Sequence, residues 1–111
     1  MEQKIGEAND LFDALVEALR DTNSRRYAAE VAYSQKKNSR MAHWIDAGKN
    51  VTYARAQAEV ESRAEYEAWL NLKAEYHHLE DLSKALQARI FSMLNINKAV
   101  TAAYNSYRGG S

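Results

Sequence analysis

The sequence predicts an all-α protein, a long antiparallel two-helix hairpin of coiled-coil type that oligomerises into a helical bundle. Proline is absent, and Gly48 is the one glycine that lies far from both chain ends. The valines are scattered singly among Ala, Glu, Lys and Arg, so no stretch has the composition of a strand. Large apolar residues recur in alternating steps of three and four residues, which is the pattern of helices that pack lengthwise.

The first helix is predicted over residues 3–47. It begins with an apolar stripe, followed after residue 27 by a weaker pattern rich in small residues. Between the two halves, the segment DTNS at residues 21–24 has poor helix propensity, so a kink or break there stays open. The stripe comprises Ile5, Ala8, Phe12, Leu15 and Leu19.

A hinge is predicted over residues 48–51. Gly48 suits the left-handed position that ends a helix, and Asn50 or Thr52 can cap the next one. The second helix is predicted over residues 52–106, with a frayed tail over residues 107–111. The whole chain, residues 1–111, is interpreted as one domain.

The second helix carries the most regular apolar pattern of the chain, which we call the seam. We expect it to pack against Phe12, Leu15 and Leu19 of the first helix. A hairpin of two helices leaves the outer faces of both exposed, so we also predict a homo-oligomer, most simply a dimer that forms a four-helix bundle. The seam residues are Leu72, Tyr76, Leu79, Leu86, Ile90 and Met93, with Ser83 at the one polar turn.

The charges alternate in sign along the chain in four blocks. Residues 1–19 carry a net charge of −4, residues 20–55 +5, residues 56–82 −5 and residues 83–111 +4. Folding at Gly48 places each basic block against an acidic one. The charge pattern therefore favours the antiparallel hairpin, independently of the apolar pattern.

Composition excludes several classes of function. The 111 residues include no cysteine, so disulfides and thiolate chemistry are excluded. The acidic N-terminus does not resemble a signal peptide, and no apolar run is long enough to span a membrane. We therefore expect a cytoplasmic protein without membrane contact.

A basic stretch of the first helix is a candidate nucleic-acid-binding face. Tyr27 and Tyr33 lie among its cations and could stack on bases of single-stranded or duplex DNA. The alternative is that these cations neutralise the acidic half of the second helix. The candidate residues are Arg25, Arg26, Lys36, Lys37 and Arg40, with Lys98 and Arg108 near the C-terminus.

No metal, cofactor or catalytic site is predicted. Glu75 and His78 have the spacing of a carboxylate–histidine metal site, but exposed polar residues of a helix explain them better. His43, beside Trp44, is expected to be partly buried. The chain has no glycine-rich phosphate loop and no nucleophile elbow, so we do not expect an enzyme.

The order of these features resembles the small all-helical accessory proteins of tailed bacteriophages and prophages, which are often encoded near recombination or single-strand-binding genes. The likeness covers ALVEALRDTNSRRYAAEVAYSQKK, then AGKNVTYARAQAEVESRAEYEAWLNLKAEYHHLEDLSKALQARI, then the tail through Tyr104. It implies a phage setting, in the cytoplasm of the host cell, and a link to DNA replication or recombination.

These observations favour a non-enzymatic protein-interaction or adaptor module, with a protein partner that the sequence does not identify. Two alternatives stay open. One is sequence-independent nucleic-acid binding through the basic face, and the other is a small phage inhibitor of a host factor.

Overall fold

A computed structural model describes the backbone of residues 2–109 and the side chains of residues 3–107. It contains three helices, α1 over Glu2–Asp46, α2 over Val51–Glu61 and α3 over Arg63–Gly109, and the described residues include no strand. The predicted all-α class and helical hairpin are confirmed. Over the same range, none of the helices has the length and apolar character needed to cross a membrane.

The contacts of the chain fall into two compact units. The turn unit is Leu19–His78, and the terminal unit combines Met1–Ala18 with Leu79–Ser111. In each unit, a segment of α1 packs antiparallel to a later segment of the chain. Helices α1 and α3 each contribute residues to both units. The interpretation of residues 1–111 as one domain stays a prediction.

The turn between α1 and α2 is built by Gly48 and Asn50, as predicted. Gly48 has a φ of 87°. Its N–H donates to the carbonyl of Ile45 at 2.9 Å, and the N–H of Lys49 donates to that of Trp44 at 3.0 Å, which together form a Schellman motif. The Asn50 side chain caps α2 by accepting a hydrogen bond of 2.8 Å from the N–H of Tyr53.

Four helix boundaries differ from the prediction, the first being that α1 already begins at Glu2 instead of residue 3. The first helix ends at Asp46, one residue earlier than expected, and α2 already starts at Val51, inside the expected hinge. At the other end, α3 continues to Gly109, so residues 107–109 are helical instead of frayed. Positions 110 and 111 of the predicted tail lie outside the described residues.

The predicted second helix is interrupted at Ser62, which was not expected. Ser62 has φ −103° and ψ 14°. Its hydroxyl donates to the carbonyl of Ala58 at 2.6 Å, and its own N–H donates to the same carbonyl at 3.0 Å. A serine that bonds back to the preceding turn in this way bends a helix. The N–H of Tyr66 still reaches the Ser62 carbonyl at 3.0 Å, so the interruption is limited to one residue.

Helix α1, in contrast, is continuous through residues 21–24. The side chain of Thr22 is buried there, with 3% of its surface exposed. The question that the sequence left open is thereby answered, because packing of this turn outweighs its poor helix propensity.

The described residues bury very few apolar side chains. Over residues 3–107, the buried hydrophobic residues are Ala8, Ala54 and Ala58. The larger side chains of the predicted packing positions are all of intermediate exposure. These half-buried residues are Phe12, Leu15, Leu19, Leu72, Tyr76, Leu79, Leu86, Ile90 and Met93.

Candidate interaction site

A stripe of small residues brings α1 close to the chain after the turn. Ala54, Ala58 and Ser62 are spaced four residues apart, and all three are fully buried. This spacing puts them on one face of the helix. Because none has a side chain larger than a hydroxymethyl group, the backbones of the two segments can approach closely. The longer side chains of Lys37 and Arg40 in α1 extend past the stripe and form ion pairs with acidic residues on the other side.

Glu61 joins the two sides of the turn unit. Arg40 donates to both carboxylate oxygens of Glu61, with Nε at 2.6 Å from Oε2 and Nη2 at 3.2 Å from Oε1. The indole Nε1 of Trp44 donates to Oε2 at 3.1 Å. The carboxylate therefore accepts three hydrogen bonds from two residues one turn apart on α1, and two of these bonds form a bidentate ion pair.

The two charges shift each other's pKa values. The pKa of Glu61 lies below its ordinary value of 4.5, mainly because Arg40 hydrogen-bonds the charged form, against a smaller effect of desolvation. The Trp44 indole lowers it further. The pKa of Arg40 is raised, first by the hydrogen bond to Glu61.

An aromatic cluster packs across the helices farther from the turn. The rings of Tyr33 and Trp69 are stacked, with centroids 5.8 Å apart and planes inclined by 17°. Tyr66 lies against both, with centroid distances of 5.2 Å to Tyr33 and 6.1 Å to Trp69. The guanidinium of Arg26 lies 4.4 Å from the centre of the Tyr76 ring, within range of a cation–π interaction.

The predicted nucleic-acid face is divided by these contacts. Arg26 and Arg40 make the contacts described above, and Lys37 forms an ion pair of 3.6 Å with Glu59. Arg25, Lys36 and Lys98 are exposed. The side chain of Arg108 lies outside the described residues. Two of the five cations predicted on the first helix, Lys37 and Arg40, thus pair with acids after the turn, as in the neutralisation alternative, whereas Arg26 contacts an aromatic ring.

The histidines do not converge on a metal site. Glu75 and His78 are both exposed, and among the described residues no group of three or more metal-binding side chains comes together. His43 is exposed, which corrects the expectation that it is partly buried. Its ring makes an edge contact with Trp44, with centroids 5.1 Å apart.

The terminal unit carries an apolar groove. It has a volume of about 310 Å³ and is lined by Leu11 and Leu15 of α1 and by Leu82, Ala85, Leu86 and Arg89 of α3. Leu11 and Leu82 are 55% and 44% exposed, respectively. A leucine-lined groove at the flank of a helix pair can accept apolar side chains of another helix.

Comparisons identify no relative. No protein-family model, no curated protein sequence and no solved structure matches the chain.

Proposed function

We propose that the protein is a non-enzymatic protein-interaction module, an adaptor that binds through its helix faces and self-associates into a bundle. One observation supports this most strongly. The described residues bury three alanines as their only hydrophobic core, while many large apolar side chains, Leu11 and Leu82 among them, remain exposed. Exposed apolar surface on this scale is typical of proteins whose helices are covered by another chain.

The turn unit supplies a fixed scaffold for this function. The Schellman turn, the small-residue stripe and the Glu61 hydrogen bonds all act within it. The leucine-lined groove lies in the terminal unit and offers the surface for contact. We assign scaffold and contact surface to these two parts of the chain.

The biological setting that we propose follows the resemblance to phage accessory proteins. We place the module in the cytoplasm of a host cell, in phage DNA replication or recombination, where it would hold protein partners together. Inhibition of a host factor would use the same exposed surface, and the two roles differ in the partner that is bound.

The experiment is light scattering coupled to size exclusion at micromolar concentration, with and without a single-stranded oligonucleotide, at low and moderate salt. We expect a discrete mass that is a multiple of the 12.6 kDa chain and that the oligonucleotide does not change. Leu82→Glu, in the groove, should lower this mass. Gln87→Glu adds the same charge at an exposed position outside the groove and should leave it unchanged.

A monomeric mass for the unmodified chain would overturn the self-association. A mass that increases with oligonucleotide at low salt, and returns to its starting value at moderate salt, would favour nucleic-acid binding instead. In that case Arg25→Ala and Lys36→Ala should reduce the increase, because both side chains are exposed.

A further inference from the structure

The apolar spacing of the seam continues along α3 after Met93. After Met93 the steps of four and three residues lead to Asn97, Val100, Tyr104 and Tyr107, which we call the C-terminal seam. Met93 is half-buried, whereas Val100 is 58% and Tyr107 is 81% exposed. The residues remain helical throughout. Asn97 is also half-buried, so the packing face continues along α3 as exposed surface from Val100 onward.

The neighbouring part of the same face shows what kind of helix it accepts. There, Leu86, Arg89 and Met93 line a groove with α1, which contributes Lys4 and Glu7 along with its apolar residues. This part of α1 belongs to the acidic block of residues 1–19, which carries five acidic residues and one basic residue. The helix that already packs on α3 in the terminal unit is thus amphipathic and acidic.

The charge of α3 favours the same kind of neighbour along the C-terminal seam. Residues 83–111 contain four basic residues and no acidic one. Lys98 lies between the first two residues of the C-terminal seam, and Arg108 directly follows its last one. Two copies of this segment would bring like charges together. An acidic helix would neutralise them, and opposite charges that flank an apolar seam determine partner choice in coiled coils.

We propose that the C-terminal seam docks an acidic amphipathic helix of a partner protein, whose apolar residues are spaced alternately three and four apart. The inference rests on the proposed function as an interaction module and specifies both the surface and the class of partner. Val100 and Tyr107 would supply the apolar contacts, and Lys98 would pair with a carboxylate beside them. This arrangement extends the pairing that α1 makes with the preceding turns of α3.

The test uses the full chain and two fluorescent helical peptides. One has leucines at seam spacing with glutamates elsewhere, and the other has lysines in place of the glutamates. We expect fluorescence anisotropy to show at least about tenfold tighter binding of the acidic peptide, weakening as salt increases. Val100→Glu should reduce that binding about tenfold or more, because it places a charge in the apolar seam.

Ala102→Glu is the matched control. It adds the same charge two residues away, on another face of the helix, at an exposed position, and should change the affinity by no more than about threefold. Tyr107→Ser is a second seam variant without added charge and should also weaken binding. Circular dichroism of each variant checks that the helices are retained.

Three peptide-binding results would overturn the proposal. They are equal binding of the acidic and basic peptides, no binding of either, and binding that Val100→Glu leaves intact. A lower mass of the Val100→Glu chain without peptide would show that a second copy occupies the C-terminal seam, which also overturns it. The proposed function is tested separately, because Leu82→Glu changes a groove that does not include the C-terminal seam.

Discussion

Glu61 forms the shorter of the two ion pairs that join α1 to the segment after the turn. Its ion pair with Arg40 has an N–O distance of 2.6 Å, against 3.6 Å for Lys37 and Glu59. It is also the better shielded acid, since 25% of its side chain is exposed, compared with 55% for Glu59. Because shielded, bidentate pairs are screened less than exposed ones, the two acids should differ in their effect on stability.

Glu61→Gln should therefore lower the melting temperature more than Glu59→Gln, which serves as the matched control. The pKa of Glu61 is lower in the folded chain than its ordinary value of 4.5. The stabilisation of the fold by the Glu61 carboxylate is therefore fully present above pH 4.5 and is lost as the pH falls through the pKa of the folded state. The difference in melting temperature between Glu61→Gln and the unmodified chain should thus be large at pH 7 and decrease below about pH 4.5. Thermal unfolding followed by circular dichroism at several pH values measures it. A difference that does not depend on pH would contradict the role of the carboxylate charge.

At the level of single residues, the sequence indicated that ion pairs would form across the turn but not which residues would form them. The charge blocks predicted that cations of residues 20–55 would face acids of residues 56–82, and Arg40 with Glu61 is such a pair. That block contains seven acidic residues, however. Which of them reaches Arg40 depends on the helical phase after the break at Ser62, and no residue pattern indicated that break.

Among the elements, the turn was the most predictable, because its signals are local. A backbone position with a φ of 87° favours glycine, and the N-cap position of a helix favours asparagine. Gly48 and Asn50 could therefore be assigned to the turn without knowledge of the packing. The break at Ser62 depends on tertiary packing, since serine is common within helices and bends them only when its hydroxyl turns back to a carbonyl.

The two described glycines away from the C-terminus should respond to alanine in opposite directions. At Gly48 an added Cβ meets nothing within 4 Å, so Gly48→Ala should cost about 1–2 kcal/mol for the left-handed backbone alone. Gly6 also has open space and lies inside α1, so Gly6→Ala should stabilise the chain by about 0.5–1 kcal/mol. Urea unfolding of both variants gives the two free energies. Destabilisation by Gly6→Ala would show that this glycine has a packing role that the structure does not contain.

The small-residue stripe predicts a second difference within one helix. Ala58 is fully buried, so Ala58→Leu must separate α1 from α2 and should destabilise the chain by about 1–3 kcal/mol. Ala56 lies two residues earlier and is exposed, and Ala56→Leu should change the stability by no more than about 0.5 kcal/mol. Both free energies come from urea unfolding. Similar values for the two variants would mean that the segments do not pack closely at Ala58.

For the whole molecule, two long-range patterns determined how much could be predicted. The alternating apolar steps and the charge blocks both span the chain, and together they were sufficient for the antiparallel helical hairpin. Neither pattern indicates which exposed residues contact another molecule. Leu82 and Val100 differ little from half-buried neighbours such as Leu86 in sequence alone, because exposure depends on where the facing helix lies.

The scarcity of buried apolar surface leads to a prediction about the assembled protein. With three alanines as the buried hydrophobic residues of the described chain, a single copy has little hydrophobic stabilisation, and self-association should supply part of it. The melting temperature should then rise with protein concentration, since mass action favours the folded assembly. Circular dichroism from about 1 to 100 μM measures this dependence.

Leu82→Glu should both lower the melting temperature and weaken its dependence on concentration, whereas Gln87→Glu should do neither. A melting temperature that stays constant over that range, for a chain shown to be fully helical, would mean that one copy is stable by itself and that the exposed leucines serve only other partners.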